Sequence, residues 1–456
     1  VRGILRGSRH SGLTGPLHSH VLFIMMPAPP WPFCSLPSIH PGGCFLSGDR
    51  AIDTVRAPSP PVRVMSPLRP EIAALEQNGI TRVALPRLDD PDVIALWFGE
   101  GDLVTEGFIR DAAKQALDEG DTFYTHPRGR LDLRDALKRY LDALYGIDLD
   151  PARISVPGAT MLGITIAAQM ALGRGDHAII VGPNWPNIDS TYRTTGAEVD
   201  YVRQRRTDAG WCLDLDDIRT ALRPNTRSLF VNTPCNPTGW VMPSEQQAEL
   251  LELCRERNLL LIADEVYHRN VFDGAVAPSF LSVARDDDPV IVVNGFSKAW
   301  AMTGWRIGWV VAPSRFAETW AVLSECFNTG ATVFVQRAAI TALERGEEVV
   351  TRLRGQYARG RDIGSEVLGR CPRIELTEPR GAFYAFPRLR GLRSSLAFAQ
   401  GMLAEENVGI APGYTFGPGN EEHFRLCFAQ SHDRLRDGLE RIVRYIERHD
   451  NEFDAD

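Results

Sequence analysis

Lys298 is one of only three lysines in a chain of 456 residues; the rest of its 50 basic residues are arginine. Lys114 and Lys138 each have an aspartate four residues on, Asp118 and Asp142, the spacing that puts opposite charges on one helix face. Lys298 instead follows the apolar run Pro289-Val290-Ile291-Val292-Val293 and sits in Gly295-Phe296-Ser297-Lys298. Arginine stays protonated and cannot act as an amine nucleophile, whereas a desolvated lysine can lose its proton and form a Schiff base. A chain that uses arginine for generic charge has a chemical reason to keep a lysine at the end of a buried strand.

Other polar residues gather at strand ends. Leu259-Leu260-Leu261-Ile262-Ala263 runs into Asp264-Glu265-Val266-Tyr267. A carboxylate there is costly unless a cation or hydrogen-bond donor receives it, although Asp264 could also cap a following helix. Asn236-Pro237-Thr238-Gly239 closes another strand with ordinary turn chemistry. Gly158-Ala159-Thr160 precedes an expected helix over 161–172, whose free N–H groups suit a phosphate. Arg306, eight residues after Lys298, carries a fork matched to phosphate.

The elements that must position these residues alternate. Residues 106–119 and 131–145 read as amphipathic helices. Short apolar runs at 177–181, 228–231, 259–263, 290–293 and 307–311 are separated by helical stretches. The pattern predicts an α/β fold: a mostly parallel sheet with helices on both faces, binding ligands at the carboxyl ends of its strands. Helices near 317–326 and 347–368 lead to strand-like pieces at 373–376, 382–386 and 424–428, a smaller α+β domain. The expected division is an N-terminal segment at 65–101 joining the small domain, a large cofactor-binding domain at 102–345 and the small domain at 346–456.

Composition excludes several classes. A net charge of −8 argues against a general nucleic-acid surface. No apolar stretch approaches the roughly 18–20 residues that span a bilayer. The eight cysteines are scattered, with no close pair of the kind that holds a metal, so free thiols in a reducing cytoplasm are expected. Residues 1–64 differ: from Val1 to Gly48 there is no acidic residue. They read as a disordered or non-native extension, with Met65 opening a sequence of ordinary balance.

In order, Gly158-Ala159-Thr160, Trp185, Asn236-Pro237-Thr238-Gly239, Asp264-x-x-Tyr267, Ser297-Lys298, Arg306 and Arg425 resemble the pyridoxal-phosphate-dependent aminotransferases of class I, fold type I. The resemblance covers residues 65–449 and is strongest over 295–308. It implies a cofactor, pyridoxal 5'-phosphate, with its aldehyde on Lys298, which then shuttles the substrate's proton. Asp264 would pair with the pyridine nitrogen, Tyr267 and Asn236 with the phenolic oxygen, and Trp185 would stack on the ring. Ala159, Thr160 and Arg306 would hold the phosphate, with Ser297 also among the cofactor-binding residues. Gly99 and Arg425 would receive the substrate α-carboxylate, and Tyr124 would reach the phosphate of a neighbouring subunit. A homodimer with shared active sites follows, acting on an amino acid and a 2-oxo acid, with glutamate and 2-oxoglutarate as one pair.

Two departures stand out. Gly295 occupies the place where many relatives have a serine, and Thr160 the place where some aspartate-directed members have a lysine. Arg128 is the arginine left to read a distal carboxylate, with a surface or interface role as the alternative. A lyase or decarboxylase uses the same catalytic residues, so the reaction type stays open at this level. A regulator of this family would carry a helix-turn-helix ahead of the fold, and residues 1–64 lack that pattern.

Overall fold

The structure, a computed structural model, describes residues 67–453; the reading of residues 1–64 lies outside them. Seven strands build the main sheet: β1 (Ile154–Gly158), β2 (His177–Gly182), β3 (Glu198–Arg203), β4 (Thr226–Asn232), β5 (Leu260–Asp264), β6 (Val290–Gly295) and β7 (Gly308–Val311). Their order is β1-β7-β6-β5-β4-β2-β3. β6, β5, β4, β2 and β3 run parallel, while β7 is antiparallel to both β6 and β1.

Side chains alternate across the sheet with the strand period of two. Val290 and Val292 of β6 join one apolar core with Leu229 and Val231 of β4, while Ile291, Val293 and Phe230 join the core on the opposite face. Burial on both faces explains why these strands read as continuous runs of β-branched and aliphatic residues. One face packs beneath helices Gly107–Asp118, Leu131–Tyr145 and Val333–Arg345, the other beneath Thr160–Ala171, Asn187–Thr194 and Ala317–Asn328.

A third core joins Ile80 to Trp97 with residues from Val349 to Phe453. It contains helices Gly79–Ala84, Glu347–Leu368, Ser395–Glu406 and His432–Arg448, and an antiparallel sheet in which Phe424–Cys427 lies between Tyr384–Ala385 and Ala411–Pro412. Ile94–Ala95 pairs in parallel with Val408–Gly409, tying the segment before the main sheet to the segment after it. The fold is therefore α/β, a mostly parallel sheet covered on both faces with a smaller α+β part.

Two strands, β1 and β3, were not legible as such. Both are sheet edges: β1 contains Ser155 and Pro157, and β3 alternates charged and apolar residues. Lys138 pairs with Asp142 at 2.6 Å as its spacing suggests, but Lys114 reaches back to Asp111 at 2.8 Å rather than forward to Asp118. Among the described residues no helix is long and apolar enough to cross a membrane.

Candidate active site

The register of the sheet brings its polar ends together. Asn232 at the end of β4 lies beside Asp264 at the end of β5, and Gly308 of β7 stands between Gly158 and Gly295. These ends open into a cavity of about 290 Å³ whose wall includes Gly99, Thr160, Trp185, Asn236, Asp264, Tyr267, Ser297, Lys298, Arg306 and Arg425.

Lys298 lies in the single turn Phe296–Ala299 that follows β6, and its Nζ donates to the carbonyl of Gly99 at 2.6 Å. Burial pushes its ammonium down to about 8, against pulls from Cys427 and Glu100 that raise it. A substantial neutral fraction at physiological pH is what an amine nucleophile or base requires. Asp264 is 5% exposed, and burial raises its carboxyl to about 7, opposed by the Val266 N–H, which donates to Oδ1 at 3.1 Å, and by Lys298. No helix follows Asp264: residues 266–269 form a turn, so the helix-cap alternative does not hold.

That turn carries Tyr267, whose hydroxyl meets the Tyr384 hydroxyl at 2.7 Å. Asn236 is fixed by its own N–H donating to Asn232 Oδ1 at 2.7 Å, while Asn232 Nδ2 donates to the Asp264 carbonyl at 3.0 Å. Trp185 follows β2, and its N–H donates to Asn184 Oδ1 at 2.7 Å.

Arg425 sits in the central strand of the small sheet, 2% exposed. Nη1 donates to Asn236 Oδ1 at 3.2 Å and Nη2 to the Trp97 carbonyl, and the guanidinium lies 4.6 Å from the Tyr384 ring centroid. Its Nε has no partner, and no carboxylate pairs with it among the described residues. The other fully buried arginine, Arg269, shows the contrast: both its Nη atoms donate to Glu347. A buried cation without a counter-ion is costly unless an anion arrives.

The phosphate-like corner is built by backbone. Ala159 is the N-cap of helix Thr160–Ala171 and stands just outside the wall, while Thr160 lines it. Thr160 Oγ1 donates to the Asn294 carbonyl at 3.1 Å and occupies the space that a Cβ on Gly295 would enter. Gly295 is thus glycine because Thr160 already fills that place. Arg306, with φ 53°, lies on the exposed rim and donates from Nη1 to the Thr303 carbonyl at 2.5 Å.

Two residues named from the sequence lie elsewhere. Tyr124 is 90% exposed, outside the cavity of its own chain. Arg128 is neither in the wall nor at the surface: Nε donates to Ser155 Oγ at 3.0 Å, and Nη2 to the carbonyls of Ile154, at 2.8 Å, and Ala152. It braces β1, so within this chain it neither reaches the cavity as a reader of a distal carboxylate nor lies at the surface. The sequence reading also missed Tyr384, Asn232 and the segment from Asn78 to Thr81, all of which line the cavity. Tyr384 lies in an apolar strand, where a tyrosine looks like core; only the polar end of β4 at Asn232 was visible as a signal.

Fold and cavity together place a lysine, a buried carboxyl and a buried arginine around one cavity at the strand ends of an α/β protein. Comparison with known proteins makes the class specific. Residues 93–442 match the family described as aminotransferase class I and II. The aspartate aminotransferase of Pyrococcus horikoshii is 33% identical over 360 residues, 78% of this chain and 91% of that protein. The aromatic-amino-acid aminotransferase 2 of Thermococcus litoralis is 32% identical over 359 residues, 78% of this chain and 92% of that one. Among solved structures, the aspartate aminotransferase from Thermus thermophilus with maleate superposes with a TM-score of 0.77 at 31% identity, covering 83% of this chain and 100% of that chain. The chain belongs to the class I and II aminotransferases. It is an aminotransferase.

Proposed function

We propose that the enzyme uses pyridoxal 5'-phosphate to move an amino group between an L-α-amino acid and a 2-oxo acid, with glutamate and 2-oxoglutarate as one pair. The observation that carries this reading is Arg425, a buried guanidinium with no carboxylate partner among the described residues, in one cavity with Lys298 and Asp264. The donor set suits the cofactor. Asp264 is a buried carboxylate without a cationic hydrogen-bond partner, matched to a protonated ring nitrogen. The N–H groups at the start of helix Thr160–Ala171, with Ser297 and Arg306, suit a phosphate. Trp185 and the hydroxyl of Tyr267 would hold the ring and its phenolic oxygen.

Bound here, the cofactor supplies an aldehyde that condenses with amines and a ring that accepts the electron pair released at the substrate Cα. The protein does the rest. Arg425 binds the α-carboxylate through its free N–H groups and so fixes which Cα bond faces the ring. Asp264 keeps the ring nitrogen protonated. Lys298 Nζ would take the proton from the substrate Cα and deliver it to the carbon supplied by the cofactor's aldehyde, and its lowered pKa leaves part of the amine neutral for the first of these transfers. Catalysis is proposed for a homodimer, with the exposed Tyr124 contributed to the partner's site. The six described cysteines are all free, in keeping with a reducing cytoplasm.

Borohydride reduction of the purified yellow protein tests this. It should abolish the visible absorbance and leave the cofactor on the Lys298 peptide. Label on another peptide, or a Lys298→Ala protein transaminating near the wild-type rate, would overturn the reading.

A further inference from the structure

Once Lys298, Arg306 and Arg425 are assigned to amine, phosphate and α-carboxylate, the wall that this chain itself supplies for a substrate's side chain carries no positive charge. Among the described residues lining the cavity there is no further lysine, arginine or histidine. The lining left without a role in that chemistry includes Ile80, Thr81, Phe98 and Met161, with Asn78 and Asn187. Asn78 is engaged within the protein: Oδ1 accepts from the Ile80 N–H at 2.9 Å and from Thr415 Oγ1 at 3.3 Å, and Nδ2 donates to Asn187 Oδ1 at 3.0 Å. Arg128, the one arginine singled out in the sequence for an acidic side chain, braces β1 instead.

A carboxylate carried to this wall gives up hydration and meets no counter-ion from the chain that forms it, whereas an apolar side chain gains by leaving water. Building on the aminotransferase reading above, we infer that the enzyme's characteristic amino acid has an uncharged, mainly apolar side chain. Acidic side chains are selected against. Glutamate as the shared donor meets the same wall and is the more weakly held of the two substrates.

The half-reaction separates this inference from the reading beneath it. Cofactor-loaded enzyme is mixed with one amino acid at a time (leucine, methionine, phenylalanine, aspartate, glutamate) and the loss of the cofactor's visible band is followed. The best uncharged donor should exceed aspartate and glutamate in kcat/KM by about tenfold or more, the scale of one missing charged hydrogen bond. Asn187 is exposed at the mouth, so Asn187→Arg adds a cation without disturbing a core. That variant should cut the preference by about threefold or more through the new charge pair. Equal or faster reaction with aspartate or glutamate would overturn the inference alone, as would a preference unmoved by Asn187→Arg. No change in the band with any donor would remove the cofactor-dependent reading itself, and this inference with it.

Discussion

Asp264 sets function against stability. Its carboxyl is raised to about 7 in the folded protein by burial, above the ordinary carboxylate value. Without cofactor, the folded state therefore binds a proton more tightly than the unfolded state. Stability is lost as pH rises from about 4 through about 7 and stays low above that. Asp264→Asn removes the charge, so the cofactor-free variant should match wild type near pH 4 and exceed it at pH 8 by roughly 2–4 kcal/mol. Glu265, also raised by burial, to about 8, is raised further by Asp264, so its change in the variant acts in the same direction. The same variant with cofactor should lose turnover by orders of magnitude, because an amide cannot hold the ring nitrogen protonated. Thermal melts at both pH values and a rate measurement decide it; an Asp264→Asn protein less stable at pH 8 with near-normal turnover would assign Asp264 a purely structural part. At this scale much was legible. Lys298, Asp264 and Arg425 are costly types in apolar surroundings, and such a residue is kept for a partner. Tyr384 was not legible, because an aromatic in a strand carries the same signal whether it packs or binds.

Between elements, the close contact of Gly99 with Tyr384 links the two parts of the fold. The Gly99 carbonyl accepts from Lys298 Nζ, and a Cβ at Gly99 would collide with Tyr384 Oη, which is bonded to Tyr267. Gly99→Ala should therefore displace the Tyr384 ring and with it Tyr267, costing about 1–3 kcal/mol in stability as overpacking does. It should also lower kcat. Removing the colliding oxygen in Gly99→Ala/Tyr384→Phe should recover part of both losses, a non-additivity expected only of touching residues. Additive losses in the cycle would show that Gly99 acts without Tyr384. The elements themselves were readable where burial is uniform. β2, β4, β5 and β6 each have an apolar central run because both faces are covered there, and helix Leu131–Tyr145 appeared with its observed bounds. Edge strand β3 is partly exposed and its charged residues hid it, while β1 is buried throughout and was hidden by Ser155 and Pro157. The segment from Asn78 to Thr81 was missed for another reason: its place in the cavity depends on long-range packing against Asn187 and Thr415 rather than on any local pattern.

Across the whole molecule, the cavity described within one chain lacks Tyr124, the residue named for the phosphate of a neighbouring subunit. Tyr124 stands 90% exposed beside Phe123 at 82%, with Leu131 at 67% and Val104 at 73%. The two-fold dimer proposed above would bury the same residues on both subunits. In such a dimer each site combines Lys298 of one subunit with Tyr124 of the partner subunit. Two defective proteins should then repair each other. Lys298→Ala has no amine nucleophile, and Tyr124→Ala loses a phosphate contact and should be nearly inactive when cofactor is scarce. Mixed in equal amounts, unfolded and refolded together, they form hybrids in which one site has both intact residues. At limiting cofactor the mixture should regain about a quarter of wild-type activity, since half the dimers are hybrids with one intact site each. The refolded parents kept apart should regain nothing. Absence of recovery in the mixture, with a dimer seen by sedimentation, would mean that Tyr124 serves its own chain or none, and that each site is complete within a single subunit.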